Sequence, residues 1–301
     1  MTVQEEIQKL KREKDAVILA HYYVRPEIQE IADYIGDSFY LGKVAAGLKE
    51  RVIVFCGVRF MGESAKVLNP DKTVLVPDAK ADCPMAHMAE EAVIKRAREK
   101  YENLAVVCYI NSTAELKTLS DVCVTSANAL KIVKALPNQN ILFIPDRNLA
   151  HYIAELVPEK HFIFNEGFCP IHEKMQKQEL IKEMEKHPNA LVLSHPECRK
   201  EILELSDYIG STSGIIDFAS KSDEKEFIVC TEEGVRYKLE QDNPKKQFYF
   251  VESLPVCQDM KLITLEKVLH VLRTEENQVE ICKEKQEMTR KPLERMLALA
   301  K

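Results

Sequence analysis

The chain has 301 residues, of which 46% are hydrophobic and 30% are charged, and its formal net charge is −6. This composition is typical of a globular protein with one large domain or two to three small ones. Interleaved acidic and basic residues argue against a nucleic-acid-binding stripe, and no apolar stretch has the length of a membrane span. The charged helical pattern at residues 1–14 is unlike a signal peptide, so we expect a cytoplasmic protein.

Three segments of the chain have similar sequences, at residues 17–45, 105–133 and 191–219. Each begins with an apolar run, continues through a polar stretch into a second short apolar run, and then enters a helical pattern. Asp33, Asp121 and Asp207 occupy equivalent positions, 88 and then 86 residues apart. The same offsets relate three further sets of polar residues, which are His21, Tyr109 and His195; Tyr23, Asn111 and Glu197; and Ser38, Ser126 and Thr212. Such self-similarity indicates three copies of one supersecondary unit.

Two more apolar runs follow in every copy, beginning near residues 52 and 73, 140 and 161, and 226 and 247. Apolar runs without polar alternation, separated by helical patterns, indicate buried parallel strands. The sequence therefore predicts an α/β fold of three homologous units, each a small, mainly parallel sheet flanked by helices. The predicted units are residues 1–86, 87–173 and 174–258, with C-terminal helices at 259–301 packing on the first. If the units surround a pseudo-threefold axis, equivalent loops meet at its centre, where we expect the active site.

Three of the nine cysteines lie at equivalent places in the repeat. Cys83, Cys169 and Cys257 each follow the last predicted strand of a unit, with spacings of 86 and 88 residues. A single cysteine there is usually a small buried hydrophobe, but three equivalent ones in a cytosolic chain indicate metal ligands rather than disulfides. Three thiolates leave a coordination position open to substrate, as in an iron–sulphur cluster or a zinc site. The predicted core or structural cysteines are Cys56, Cys108, Cys123, Cys230 and Cys282.

Hydroxyl and carboxylate side chains precede the predicted helix of every copy, at Asp37-Ser38, Thr125-Ser126 and Ser211-Thr212-Ser213. A helix N-terminus presents free backbone N–H groups and a dipole that favour phosphate or carboxylate. Ordinary capping explains any one of these positions. Three such helix ends facing one axis favour anion binding.

The chain resembles the quinolinate synthase family in motifs spread over nearly its whole length. The motifs are ILAHYY and GDS, IVFCGVRFMGESAKVLNPDKTVLVPD, CYINSTAELK, VTSANA, NEGFCPIHEKM, SHPEC and GSTSGI. The resemblance implies three α/β units around a pseudo-threefold axis and one [4Fe-4S] cluster held by Cys83, Cys169 and Cys257. It also implies a step of NAD biosynthesis, in which iminoaspartate and dihydroxyacetone phosphate condense to quinolinate with release of phosphate and water. The iron that no cysteine binds would act as a Lewis acid.

The same resemblance implies binding roles for the matched polar residues. The phosphate would be held by His21, Ser38, Ser211 and Thr212. The carboxylates and the quinolinate ring would be held by Tyr109, Asn111, Ser126 and His195.

The strand ends carry three matched pairs, which are His21 with Tyr23, Tyr109 with Asn111, and His195 with Glu197. Glu197 is the only carboxylate among these six residues, so it is the predicted general acid or base. A lone histidine at a strand end is more often a hydrogen-bonded core residue, but two equivalent histidines favour a functional role. Tyr23 is the predicted second proton-transfer group, and His195 and Tyr109 complete the predicted catalytic set. His172, close in sequence to one cluster cysteine, is a further predicted substrate-binding residue.

Three other functions are compatible with parts of this pattern. A non-catalytic iron–sulphur sensor would need a partner surface or a nucleic-acid-binding element, and the sequence indicates neither. A zinc-dependent lyase or hydrolase would use the same cysteines and would differ in metal content. A purely structural repeat protein leaves the matched His, Tyr and Glu residues unexplained. Because iminoaspartate is unstable, the resemblance implies an aspartate oxidase or dehydrogenase as pathway partner, and we expect no nucleic-acid or membrane partner.

Overall fold

The computed structural model of the protein describes residues 2–301. The first sheet contains β1 (Ala16–His21), β2 (Tyr34–Gly36), β3 (Val52–Cys56) and β4 (Thr73–Leu75). The helices around it are α1 (Val3–Glu13), α2 (Pro26–Ile31), α3 (Ser38–Ala45), α4 (Arg59–Leu68) and a 3-10 helix (Pro84–His87). Every residue of β1 and β3 is buried, which is why these strands read as continuous apolar runs.

The second sheet repeats this arrangement. Its strands are β5 (Leu104–Tyr109), β6 (Val122–Val124), β7 (Asn140–Ile144) and β8 (His161–Phe164). Its helices are α5 (Glu91–Lys100), α6 (Ala114–Thr118), α7 (Ala129–Ala135), α8 (Arg147–Leu156) and α9 (Pro170–Glu173).

The third sheet contains β9 (Leu191–Ser194), β10 (Tyr208–Ile209), β11 (Glu226–Cys230) and β12 (Gln247–Tyr249). Its helices are α10 (Lys177–Lys186), α11 (Lys200–Leu203), α12 (Thr212–Lys221), α13 (Val235–Asp242) and α14 (Gln258–Lys261). The chain ends in α15 (Leu265–Thr274) and α16 (Lys283–Leu299). In all three sheets the first strand pairs in parallel with the second and third, and the third pairs with the fourth. The predicted α/β class with three similar sheets is confirmed.

The repeated aspartate has a structural role in every unit. The side chain of Asp33 accepts a hydrogen bond from the backbone N–H of Ile18 at 2.8 Å, and Asp207 accepts the equivalent bond from Val192 at 2.8 Å. Asp121 does the same in the second unit at 2.7 Å. Each carboxylate fixes the start of the second strand against the first, and such bonds to an ionised acceptor are among the stronger ones in proteins.

The hydrophobic core is not uniform across the three sheets. One cluster of buried apolar residues runs through the first and second sheets and the C-terminal helices. The third sheet has two smaller clusters, which contain alternate residues of its strands, such as Leu193 in one and Val192 in the other. Because neighbouring residues of a strand point to opposite faces, these clusters lie on the two faces of the third sheet.

The C-terminal helices connect the first two units. Helix α15 packs against α1, whereas α16 packs against α4 of the first unit and α6, β6 and α7 of the second. Residues 259–301 thus pack on both units: in α16, the Thr289 hydroxyl donates to the Ala114 carbonyl of the second unit, and Arg290 donates to the Val67 carbonyl of the first. The unit limits at 1–86, 87–173 and 174–258 stay a prediction. None of the helices between residues 2 and 301 combines the length and apolar character needed to cross a membrane.

Candidate active site

A cavity lies where the loops after the strands of all three sheets meet. Its volume is about 110 Å³, whereas one water molecule needs only about 15 Å³, so the cavity has room for a small ligand. All but one of the residues predicted for the site line it, namely His21, Tyr23, Ser38, Cys83, Tyr109, Asn111, Ser126, Cys169, His172, His195, Glu197, Thr212 and Cys257. Functional groups commonly gather beyond the carboxyl ends of parallel strands.

Cys83, Cys169 and Cys257 reach this cavity from equivalent loops, and within residues 2–301 all three thiols are free. Each cysteine is the residue directly before a short helix, and the first backbone N–H groups of that helix act to lower the pKa of its thiol.

Burial raises the pKa of all three thiols, that of Cys257 to about 11. Negative charge on Cys257 raises the pKa of Cys83 further, and charge on Cys83 acts in the same direction on Cys169. Buried thiolates that repel one another are stabilised by a positively charged metal group. The three side chains therefore fit a metal cluster.

The remaining cysteines do not reach the cavity wall formed by the described residues. Cys56, Cys108, Cys123 and Cys230 are buried in the cores, and Cys198 is buried as well. Cys282, predicted to be structural, is exposed at the residue before α16.

Glu197 is buried beside His172, with 2.8 Å between its Oε2 atom and Nδ1 of the histidine. Burial alone would raise the pKa of Glu197, but the neighbouring His195 and His172 reverse this and lower it. Glu197 is therefore a carboxylate at neutral pH. The hydroxyl of Tyr109 also interacts with this carboxylate, and burial raises the pKa of Tyr109 well above its usual value. The tyrosine consequently keeps its proton and can donate a hydrogen bond.

A chain of hydrogen bonds joins Glu197 to Tyr23. A carboxylate can only accept, so His172 donates from Nδ1, which also lies 3.2 Å from the Cys169 sulphur. Its Nε2 atom then accepts from the Thr231 hydroxyl at 3.0 Å. The Thr231 oxygen in turn lies 2.7 Å from the Tyr23 hydroxyl. Tyr23 can thus exchange a proton with a histidine that a carboxylate supports.

The far end of this chain reaches the third unit. The Tyr23 hydroxyl lies 2.7 Å from that of Thr212, which itself lines the cavity. Burial raises the pKa of Tyr23 well above its usual value. The phenol is therefore protonated at neutral pH unless its partners take the proton.

His21 and His195 adopt the same local geometry. The Nδ1 atom of His21 accepts the backbone N–H of Tyr23 at 3.2 Å, and Nδ1 of His195 accepts that of Glu197 at 3.3 Å. Each neutral ring therefore carries its proton on Nε2, and in His195 this atom lies 3.1 Å from the Ser126 hydroxyl. Burial lowers the pKa of His21 to about 3 and that of His195 to about 4. Both histidines are neutral hydrogen-bond donors at pH 7.

Several buried polar atoms around the cavity have no hydrogen-bond partner in the part of the chain that the structure describes. They include Glu197 Oε1, Asn111 Oδ1, Thr125 Oγ1 and Asp37 Oδ2, and all four residues line the cavity. A buried polar group without a partner costs about 1–3 kcal/mol. This concentration of unpaired groups around one cavity indicates a site for a polar ligand.

Two of the three predicted helix ends differ in detail from the sequence prediction. Ser211 does not line the cavity among the described residues, because it is the N-cap of α12 and accepts the backbone N–H of Gly214. Helix α7 begins at Ala129 instead of near Ser126. A turn precedes it, in which the side chain of Asn128 accepts the backbone N–H of Thr125 and the carbonyl of Thr125 accepts the N–H groups of Asn128 and Ala129.

Three buried residues near the site were not identified from the sequence. Thr231 belongs to the hydrogen-bond chain, and Asp146 and Glu232 contact the cysteine loops. Asp146 and Glu232 each lie two residues after the third strand of their unit and are 86 residues apart, which is one of the offsets of the repeat. That spacing was a signal in the sequence that could have found them.

Comparison with known proteins gives consistent matches along the whole chain. The family model described as Quinolinate synthetase A protein matches residues 5–298. A quinolinate synthase from Fusobacterium nucleatum is 52% identical, over 99% of both chains. One from Clostridioides difficile is 52% identical over 91% of this chain and 90% of its own. One from Caldicellulosiruptor bescii is 50% identical over 99% and 98%, respectively.

Proposed function

We propose that this chain, which belongs to the Quinolinate synthetase A protein family, condenses iminoaspartate with dihydroxyacetone phosphate to form quinolinate, with release of phosphate and water. The observation that carries the proposal is the convergence of three equivalent cysteine loops and several unpaired buried polar groups on one cavity. Identity of 52% over 99% of a quinolinate synthase supports it. The reaction would serve NAD biosynthesis.

Cys83, Cys169 and Cys257 would hold one [4Fe-4S] cluster. A fully ligated cluster of this type takes four cysteines, so three leave one iron open to substrate. When bound, the cluster would supply a Lewis acid that stabilises negative charge on a substrate oxygen or a leaving hydroxyl. The support for this ligand set is the shared cavity and the mutual effect of the thiolate charges.

The phosphate of dihydroxyacetone phosphate would bind between the first and third units. Ser38 and Thr212 line the cavity at the first residues of α3 and α12, where free backbone N–H groups and the helix dipole favour an anion. The neutral His21 ring would donate from Nε2 to the same group. Ser211 is part of this predicted set, although its hydroxyl already caps α12.

The carboxylates and the nitrogen of iminoaspartate would bind on the side of the second unit. Tyr109, Ser126 and His195 offer O–H and N–H donors at the cavity wall. The unpaired Oδ1 atom of Asn111 can accept a hydrogen bond from the substrate nitrogen. The substrate would therefore be oriented by donors for its carboxylates and by an acceptor for its N–H group.

Proton transfers would run through Glu197 and Tyr23. When Tyr23 gives up its proton through Thr231, the proton arrives on His172 Nε2, and the Glu197 carboxylate at Nδ1 stabilises the resulting imidazolium. In a hydroxyl–histidine–carboxylate triad, likewise, the histidine takes the proton of the hydroxyl and the carboxylate stabilises the imidazolium. Tyr23 would then remove a proton from the condensed intermediate and return it to a departing hydroxyl group.

A zinc enzyme is a second candidate, because one potential metal-binding group uses a different donor set. One donor atom each of Cys169, His172 and Glu197 lies within 4.8 Å of the others. Such a site would leave Cys83 and Cys257 without a role. Metal content therefore distinguishes the two candidates.

The test is anaerobic reconstitution followed by iron, sulphide and zinc analysis and an assay for quinolinate. Iminoaspartate is unstable, so an aspartate oxidase or dehydrogenase, the proposed pathway partner, would generate it in the assay together with dihydroxyacetone phosphate. We expect about four iron atoms per chain and quinolinate formation. A protein that binds only zinc, or one with a full cluster that forms no quinolinate, would overturn the proposal. A reducing cytoplasm is the proposed location, since thiols such as Cys83, Cys169 and Cys257, which are free in the structure, stay reduced there.

A further inference from the structure

The backbone N–H of each predicted cluster cysteine donates a hydrogen bond to a carboxylate. In the second unit, Cys169 donates to Asp146 Oδ2 at 3.2 Å. In the third unit, Cys257 donates to Glu232 Oε1 at 2.9 Å. Both carboxylates are almost completely buried, at 0% and 1% exposure. The two contacts are equivalent, because each carboxylate follows the third strand of its unit and reaches the loop that follows the fourth.

In the first unit, a carboxylate at a different position accepts the N–H of the cysteine. Its equivalent position is Val58, which has no acceptor and lines the cavity. The backbone N–H of Cys83 donates instead to Asp82 Oδ1 at 2.8 Å. The other Asp82 oxygen lies 2.9 Å from Nε2 of His87. The first unit therefore also has a contact between its cysteine N–H and a carboxylate, although the carboxylate is not at the position equivalent to Asp146 and Glu232.

Both buried carboxylates are themselves held by a second backbone donor. Asp146 accepts the N–H of Leu149 on Oδ1 at 2.7 Å, and Glu232 accepts the N–H of Gly234 on Oε2 at 2.7 Å. Each side chain thus uses its two oxygens for two N–H groups. An amide side chain has only one oxygen, so Asn or Gln at these positions would lose one of the two bonds.

Glu232 is also connected, through Lys261, to the backbone of Tyr23. Lys261 lies 3.1 Å from Glu232 Oε1 and donates to the backbone carbonyl of Tyr23 at 2.7 Å. The loop of Cys257 and the strand end that carries Tyr23 are thus joined through one ion pair.

We propose that Asp146 and Glu232, with Asp82 in the first unit, are positioning residues that hold the three cysteine loops in the arrangement required by the cluster. The inference rests on the proposed function, since it needs a cluster at these cysteines. Each cysteine is the residue directly before a short helix, so fixing its backbone N–H also fixes the start of that helix. Groups that orient metal ligands in this way typically change metal affinity about 10–100-fold when they are replaced.

The experiment measures iron release from the reconstituted holoprotein to a chelator under anaerobic conditions. The variants are Asp146→Asn, Asp146→Ala, Glu232→Gln and Glu232→Ala. We expect iron release at least about tenfold faster than in the wild type, with the Ala variants faster than the amide variants. The amide variants nearly preserve side-chain volume, so they keep the test valid if an Ala variant does not fold.

Asp207→Asn is the matched control. Asp207 makes the same kind of bond, accepting the N–H of Val192 at 2.8 Å, but it serves the sheet and does not contact a cysteine loop. We expect a lower melting temperature in this control with unchanged iron release. Iron release at the wild-type rate in the Asp146 and Glu232 variants, or faster only in proportion to their loss of melting temperature, would refute the inference alone. A wild-type protein that takes up no cluster would overturn the proposed function and the inference with it.

Discussion

Replacing Thr231 by Val tests the hydrogen-bond chain between Tyr23 and Glu197. The substitution nearly preserves side-chain volume and removes the hydroxyl that lies 2.7 Å from the Tyr23 oxygen and 3.0 Å from His172 Nε2. Tyr23 keeps its contact with Thr212, but no group remains to pass its proton to the histidine. The variant therefore separates proton transfer from the other functions of the site.

The expected effect on kcat follows from the role of a general acid–base group. Such groups contribute about 10²–10⁴-fold, which corresponds to about 2.7–5.5 kcal/mol of activation free energy. Thr231 is not among the residues that line the cavity, so KM should stay within about twofold of the wild-type value. The His172 Nε2 atom would lose its partner, at a cost of about 1–3 kcal/mol in the free energy of unfolding.

The assay is steady-state quinolinate formation by the reconstituted enzyme, with iron content measured on the same samples. Thr231→Ser is the matched control, because it keeps the hydroxyl and should retain most of the activity. If Thr231→Val with a full cluster turned over as fast as Thr231→Ser, the chain from Tyr23 to Glu197 would have no part in catalysis.

Glu197→Gln should keep the cluster but lose at least about 10²-fold in kcat; wild-type turnover would remove this carboxylate from the mechanism. Replacing Cys83, Cys169 or Cys257 singly by Ser should abolish activity and impair iron binding, whereas the control Cys282→Ser should change neither. Full cluster content in all three single variants would disprove this ligand set. Burial lowers the pKa of His195 from 6.5 to about 4 in the folded chain, so only the unfolded state gains the proton as the pH falls through this window. The free energy of unfolding of the cluster-free protein should therefore decrease from pH 6.5 toward pH 4 in denaturant titrations, and a pH-independent value would contradict the neutral buried ring.

The repeat in the sequence was sufficient to place much of the candidate site. Offsets of 88 and 86 residues assign His21 and His195 to the ends of equivalent strands, and the structure places both at the cavity with the same bond to the backbone two residues on. The three cysteines followed from the same spacing. The spacing placed these histidines and cysteines at the cavity because strand order and loop position are set by local apolar patterns that recur in every unit.

Residues whose roles depend on distant contacts could not be predicted in this way. Thr231 acts between Tyr23 and His172, which are 208 and 59 residues away in the chain. The predicted helix N-terminus at Ser126 lies three residues before the start of α7 at Ala129, because a hydrogen-bonded turn between Thr125 and Asn128 precedes the helix. Sequence spacing identified the loops that meet, but not which side chains pair within them.

The division of the core has a consequence for how the protein unfolds. The first two sheets share one continuous apolar cluster, whereas the third sheet packs in two smaller clusters, one of which also contains Tyr22 of the first unit. Separately packed regions often open as separate cooperative units, which hydrogen exchange detects. The cavity lies along the boundary between these two regions. A ligand that contacts both regions therefore also stabilises their association. Ligand affinity and the cooperativity of unfolding are in this way coupled, and a group bound across the boundary would make the two regions unfold as one.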